Sequence, residues 1–193
     1  MYQKGNNNSK ILSLFLGDYS KQFYLREISK LSKIPLKTTH RLVSSLEKDK
    51  ILKSKVSGKN KYFKLNLDNI QTKLCLIEAE IYKTAIFIDK YPLFKTFLKE
   101  LSNSSLLVVF GSFAKFKADK DSDLDLLIVS KEKEELPFHL LGYNIHKIEL
   151  LEKDFIKAVE NNETLIKEIA ENHIILNNHS FYINVVWGFY GRK

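Results

Sequence analysis

Cysteine is almost missing from this chain: Cys75 stands alone, so no internal disulfide can form and a reducing compartment is expected. Its neighbours Leu74 and Ile77 give it helix packing rather than chemistry, and no base lies near it in sequence. Proline occurs three times, at Pro35, Pro92 and Pro137, and each marks a break between regular segments. No apolar run approaches the length of a membrane span. The first ten residues are polar and hold three consecutive asparagines, so a cytoplasmic protein without an export signal is expected. Histidine is scarce, and His139, His173 and His179 have no cysteine or histidine at metal-ligand spacing. There is no internal repeat.

What is present is ordinary globular material with an uneven charge. Hydrophobic residues make up 44% of the 193, enough for a core throughout. The net charge of +8 is not spread evenly. Residues 1–70 hold 15 lysines and arginines against 5 acids, or +10, and residues 71–193 hold 16 against 18, or −2. A basic surplus concentrated in one segment is the electrostatic footprint of a nucleic-acid binder.

The stretch LLVVFGSFAKFKADKDSDLDLLIV, residues 106–129, reads as an apolar strand over 106–110, a sharp turn at Gly111-Ser112, a basic segment, and a second strand carrying Asp123 and Asp125. Residues two apart on a strand share a face, so both carboxylates stand side by side, an arrangement that suits a divalent metal. A solvated acidic loop holding Asp119, Asp121, Asp123 and Asp125 is the plainer reading, but the run Leu126, Leu127, Ile128, Val129 behind it is apolar enough for a buried strand. An EF-hand loop does not fit, since its glycine and distal glutamate are missing at their spacings.

Gly111-Ser112, ten residues, then Asp-x-Asp between apolar positions resembles the signature of the nucleotidyltransferase superfamily that includes DNA polymerase beta, above all its minimal members. The resemblance implies transfer of a nucleoside monophosphate from a triphosphate such as ATP to a hydroxyl. Asp123 and Asp125 would be Mg2+ ligands, with Gly111, Ser112 and Lys115 facing the phosphates and Lys117 adding positive charge near them. It also implies a third carboxylate on the strand read over 143–151, able to ligate metal or take the acceptor's proton. Glu149 is the acidic residue there. Alternation sets Asn144 and His146 on one face and Lys147 with Glu149 on the other, so either Glu149 or His146 takes the third position.

The basic segment has its own pattern. Apolar residues at 11–16 give a first helix stopped at Gly17; Leu25, Ile28 and Leu31 give a second; a turn over 32–35 admits a third over 36–48 with Thr39, Val43, Leu46 and part of Leu42 inward. Two short strands, 51–56 and 61–65, follow through residues 57–60. This order is similar to the winged helix-turn-helix domains of bacterial and archaeal regulators. The likeness implies double-stranded DNA as a partner, read by Lys37, Thr38, His40, Arg41, Ser44 and Ser45 on the third helix. Lys55, Lys59 and Lys61 of the wing would lie over the backbone. A winged helix used for protein contacts alone, with the lysines as its soluble face, is the competing reading.

Residues 68–91 read as one long helix whose stripe of Leu74, Ile77, Ile81, Ala85 and Ile88, widened by Leu76, Ile86 and Phe87, needs a partner, either the following domain or a second copy in a homodimer. A shorter helix over 93–101 follows Pro92. Two helical segments over 154–172, a strand over 174–176 and an aromatic strand over 181–187 complete a C-terminal hairpin, with residues 188–193 as a loose tail. The expected fold class is α+β: a winged helix-turn-helix over 1–68, a helical linker over 69–103, and a nucleotidyltransferase domain with a small mixed sheet over 104–193. Two functions compete. One is a metal-dependent nucleotidyltransferase coupled to DNA binding. The other is a DNA-binding transcriptional regulator whose nucleotidyltransferase domain senses nucleotide or is inactive.

Overall fold

The computed structural model describes residues 7–101, 105–132 and 135–191, and they divide into two compact units, Met1–Tyr82 with Trp187–Lys193, and Lys83–Val186. The division falls inside a continuous helix. That helix, residues 70–90, lies within the expected linker over 69–103, and the expected boundary at 103/104 lies outside the described residues.

In the first unit, α1 (Asn7–Leu12) passes through a short 3-10 turn to Gly17, whose φ of +88° only glycine adopts without strain. The strand β1 (Gln22–Tyr24) leads into α2 (Leu25–Ser32), where the Glu27 carboxylate accepts the Tyr24 N–H at 3.0 Å and satisfies one orphan donor of the helix start. Lys33, left-handed at φ +53°, ends α2. After Pro35, α3 (Leu36–Lys48) begins. Thr39, Val43 and Leu46 are its buried side chains and Leu42 is half-buried, the face that the spacing predicts. A hairpin of β2 (Leu52–Ser57) and β3 (Asn60–Leu65) turns at Gly58, with φ +60°, and Lys59. β1 adds to the other edge of β3, giving an antiparallel sheet of order β1-β3-β2.

The long helix is α4 (Ile70–Lys90). Its expected inward face is corrected in part by the structure: Leu76 and Phe87 are buried as expected, but Leu74 is 57% and Ile81 41% exposed, and Thr72, Ala79, Tyr82 and Thr84 are buried instead. The helix serves two units in turn, so no one stripe runs its length. Two threonines fix it. Thr72 Oγ1 donates to the Ile51 carbonyl in the first unit, and Thr84 Oγ1 to the Ile175 carbonyl in the second.

The second unit continues with α5 (Leu93–Lys99), β4 (Leu106–Val109), the single turn of α6 (Gly111–Ala114), β5 (Leu124–Ser130) and β6 (Ile145–Leu151). Then come α7 (Glu152–Glu160), α8 (Thr164–Glu171), β7 (Ile174–Asn177) and α9 (His179–Gly191). The sheet is mixed, in the order β6-β5-β4-β7, with β4 antiparallel to both neighbours and β5 parallel to β6. All four residues of β4 are buried, as a central strand covered on both faces requires. On one face Leu107, Val109, Leu126 and Ile128 meet Phe87, Phe94, Phe97 and Phe113. α7 packs against β5 and β6.

The C-terminal hairpin is a second correction. Residues 181–187 are helix, within α9, and Gly188 to Gly191 continue it; Arg192 and Lys193 lie outside the described residues. Tyr182, Ile183 and Val186 are buried at helical spacing, and a stretch apolar on every side shows no alternation to tell the two structures apart. Among the described residues no helix is long and apolar enough to cross a membrane.

Candidate functional site

The first candidate site lies where β4 ends and β5 begins. Phe110 donates its N–H to the Asp125 carbonyl at 3.0 Å, so the turn at Gly111 is held directly beside Asp125. Gly111 has φ +67°, and a Cβ built there would lie 2.0 Å from Asp125 Oδ2. The carboxylate thus occupies the space that a side chain at 111 would take. Glycine is needed here twice, for the backbone angle and for room.

The parallel register between β5 and β6 sets Asp125 opposite His146, and His146 Nδ1 lies 3.1 Å from Asp125 Oδ1. Just ahead of β5, the Asn144 side-chain amide donates to Asp123 Oδ1 at 2.7 Å, while the Asn144 carbonyl accepts from the Leu124 N–H at 2.8 Å. Asp123, Asp125, Asn144 and His146 therefore share one face. Glu149 does not join them: it stands on the opposite face of β6, paired with Lys147 at 2.7 Å. The alternation leaves two choices, and the register places His146 beside the aspartates.

Ser112 lies in the first turn of α6, whose leading amides have no partner within the helix. Lys115 and Lys117 are exposed, and their N–H groups bond back to the carbonyls of Gly111 at 3.2 Å and Ser112 at 3.0 Å. Asp119 belongs to the loop rather than to the site. Its carboxylate accepts the Ser122 hydroxyl at 2.8 Å and the Asp121 N–H at 3.2 Å, and chiefly the Ser122 bond holds it below the ordinary carboxylate range.

Among the described residues no three of histidine, cysteine, aspartate and glutamate gather as a metal centre. The donor set that is present still suits a magnesium ion arriving with a phosphate ligand. Asp123 and Asp125 each have one oxygen engaged, by Asn144 and His146 respectively, and a second one to offer. Magnesium commonly takes one or two carboxylates and completes its octahedron with phosphate oxygens and water.

The second candidate surface is in the first unit. Lys37, His40, Arg41, Ser44 and Ser45 are exposed on α3, and Thr38 is half-buried. An open groove between α3 and the hairpin is lined by His40, Ser44, Lys59 and Lys61, together with Arg26 from the first turn of α2. Arg26 escapes sequence reasoning, which takes α2 only as support. Its exposed place in the first turn of a helix just before the α3 turn is the signal that could have found it. Lys61 is engaged: it bonds the Glu47 carboxylate at 2.8 Å and lies over the Phe63 ring. Lys55 and Lys59 are exposed on the hairpin.

Residues 92–177 match the family model of the nucleotidyltransferase domain. No curated protein and no solved structure matches the chain. The matched segment opens at Pro92, immediately before α5, and closes on Asn177, the last residue of β7, so it holds every strand of the mixed sheet and the whole Gly111, Asp123, Asp125 constellation. Residues 92–177 are thus similar to the nucleotidyltransferase domain over a stretch that includes the whole site.

Proposed function

We propose that the chain binds a nucleoside triphosphate, ATP among the candidates, at the Gly111 turn and transfers its nucleoside monophosphate to a hydroxyl acceptor, with a winged helix in the first unit that binds double-stranded DNA. The observation that carries the first part is the Asp125 carboxylate seated in the Cβ space of Gly111, within a segment matching the nucleotidyltransferase family. Asp123 and Asp125 would hold Mg2+, which, when bound, neutralises the phosphate oxygens. The absent Cβ at Gly111 lets the Asp125 carboxylate close against the turn, so that the ion it would hold and the backbone of the turn meet the triphosphate together. Ser112 offers an amide and a hydroxyl to its oxygens. Lys115, exposed one turn on, adds positive charge toward the terminal phosphates.

A second reading is favoured by one observation, His146 standing beside Asp125 where the family pattern expects a carboxylate. On that reading the domain holds nucleotide without fast turnover, and the chain is a DNA-binding regulator responsive to it. In both readings α3 with Lys37, Arg41 and Ser44, the hairpin with Lys59, and Arg26 in the groove between them form the DNA surface, supported by the +10 charge of residues 1–70.

The test is incubation of the protein with magnesium and each labelled triphosphate, with and without total tRNA or lysate. Labelled product that disappears in Asp123→Asn would establish transfer. Triphosphate bound tightly with no product would establish the regulator. The double variant Asp123→Asn, Asp125→Asn should abolish magnesium-dependent binding, and unchanged affinity would remove these carboxylates from the site.

A further inference from the structure

We infer that the nucleotide site takes a single divalent ion for each bound triphosphate, and that His146 is the residue that excludes a second. This rests on the reading of the Gly111 turn as a triphosphate site. Two ions that act on one phosphoryl group stand about 3.5–4 Å apart, and their mutual repulsion must be offset by carboxylates clustered around and between them. The face described above supplies only two carboxylates, Asp123 and Asp125.

The residues at the start of β6 and just before it that could complete the cluster do the opposite. Asn144 engages one oxygen of Asp123 at 2.7 Å, and His146 one oxygen of Asp125 at 3.1 Å. One oxygen from each aspartate is left, two protein donors in all. That number suits one octahedral magnesium whose other ligands come from the triphosphate and water. It does not suit a pair.

No other carboxylate stands in for the missing one among the described residues. Glu149 lies on the far face of β6 with Lys147, and Asp119 is committed to Ser122 and Asp121. The single ion is expected to enter with the nucleotide, because the triphosphate supplies the larger share of its ligands. What the site loses is the ion that would otherwise sit against the acceptor hydroxyl.

The experiment counts ions rather than turnover. The full chain is titrated with Mn2+, in the presence and absence of the α,β-methylene analogue of each of the four nucleoside triphosphates, and bound Mn2+ is measured by electron paramagnetic resonance. One Mn2+ per chain, bound only with an analogue, is expected. His146→Asp, at a side chain 68% exposed on an edge strand and so tolerant of exchange, should raise the count to two, while His146→Asn should leave it at one. Two ions in the unmodified protein would overturn the inference, as would a count of one in His146→Asp. Failure of every analogue to bind, with Mn2+ or without, would overturn the triphosphate reading itself.

Discussion

A methyl group added at Gly111 would stand 2.0 Å from Asp125 Oδ2, well inside van der Waals contact, on a backbone at φ +67°. Gly111→Ala should therefore cost about 1–3 kcal/mol in strain and push the carboxylate out of place. The expected outcome is a lower melting temperature and triphosphate affinity reduced by about tenfold or more, read by calorimetry. The sequence makes the glycine legible as a point of phosphate approach. It hides the second reason, because the atom that fills the Cβ space belongs to Asp125, on a different strand. His146 and Glu149 show the same limit. Alternation sorts them onto two faces, but only the pairing of β6 with β5 says which face holds the aspartates.

At the scale of elements, Glu47 ties α3 to the hairpin: Lys61 on β3 and Ser54 on β2 both donate to its carboxylate. These bonds, Lys61 first, hold its pKa below the usual 4.5. A carboxylate with a depressed folded pKa contributes stability above its unfolded value and loses it as pH falls through the folded one. Glu47→Gln should thus lower the melting temperature at pH 6, and the difference should shrink as pH falls below 4.5 and through the lowered pKa of Glu47, in melts followed by circular dichroism. α2, α3 and the hairpin are legible because period and turn chemistry agree along their lengths. β1 is missed because its three residues carry too little pattern. α9 and α4 are misread for a shared reason: where apolar residues face every direction, sequence cannot say which side is covered or whether the segment is strand or helix.

At the scale of the whole molecule, charge is the most legible feature, since the +10 of residues 1–70 needs no structure to see. If that charge serves duplex DNA, Arg41→Ala should weaken binding at all sequences or at one base pair. Loss of a phosphate contact would lower the slope of log affinity against log salt by about 1, and a salt-independent affinity would contradict the electrostatic reading. The division into units is less legible, because it cuts through α4 and α9 rather than through a proline- or glycine-rich linker. That division bears on how the chain comes off the ribosome. β4 has β5 on one edge from early on, but its other edge waits for Ile174–Asn177. The first unit also waits, since Tyr190 bonds Asp18 at 2.9 Å and its ring meets Tyr19. Neither unit is complete until the final helix has emerged, so a nascent chain stalled at residue 170 would carry an unclosed sheet edge and an uncovered tyrosine, both open to chaperones.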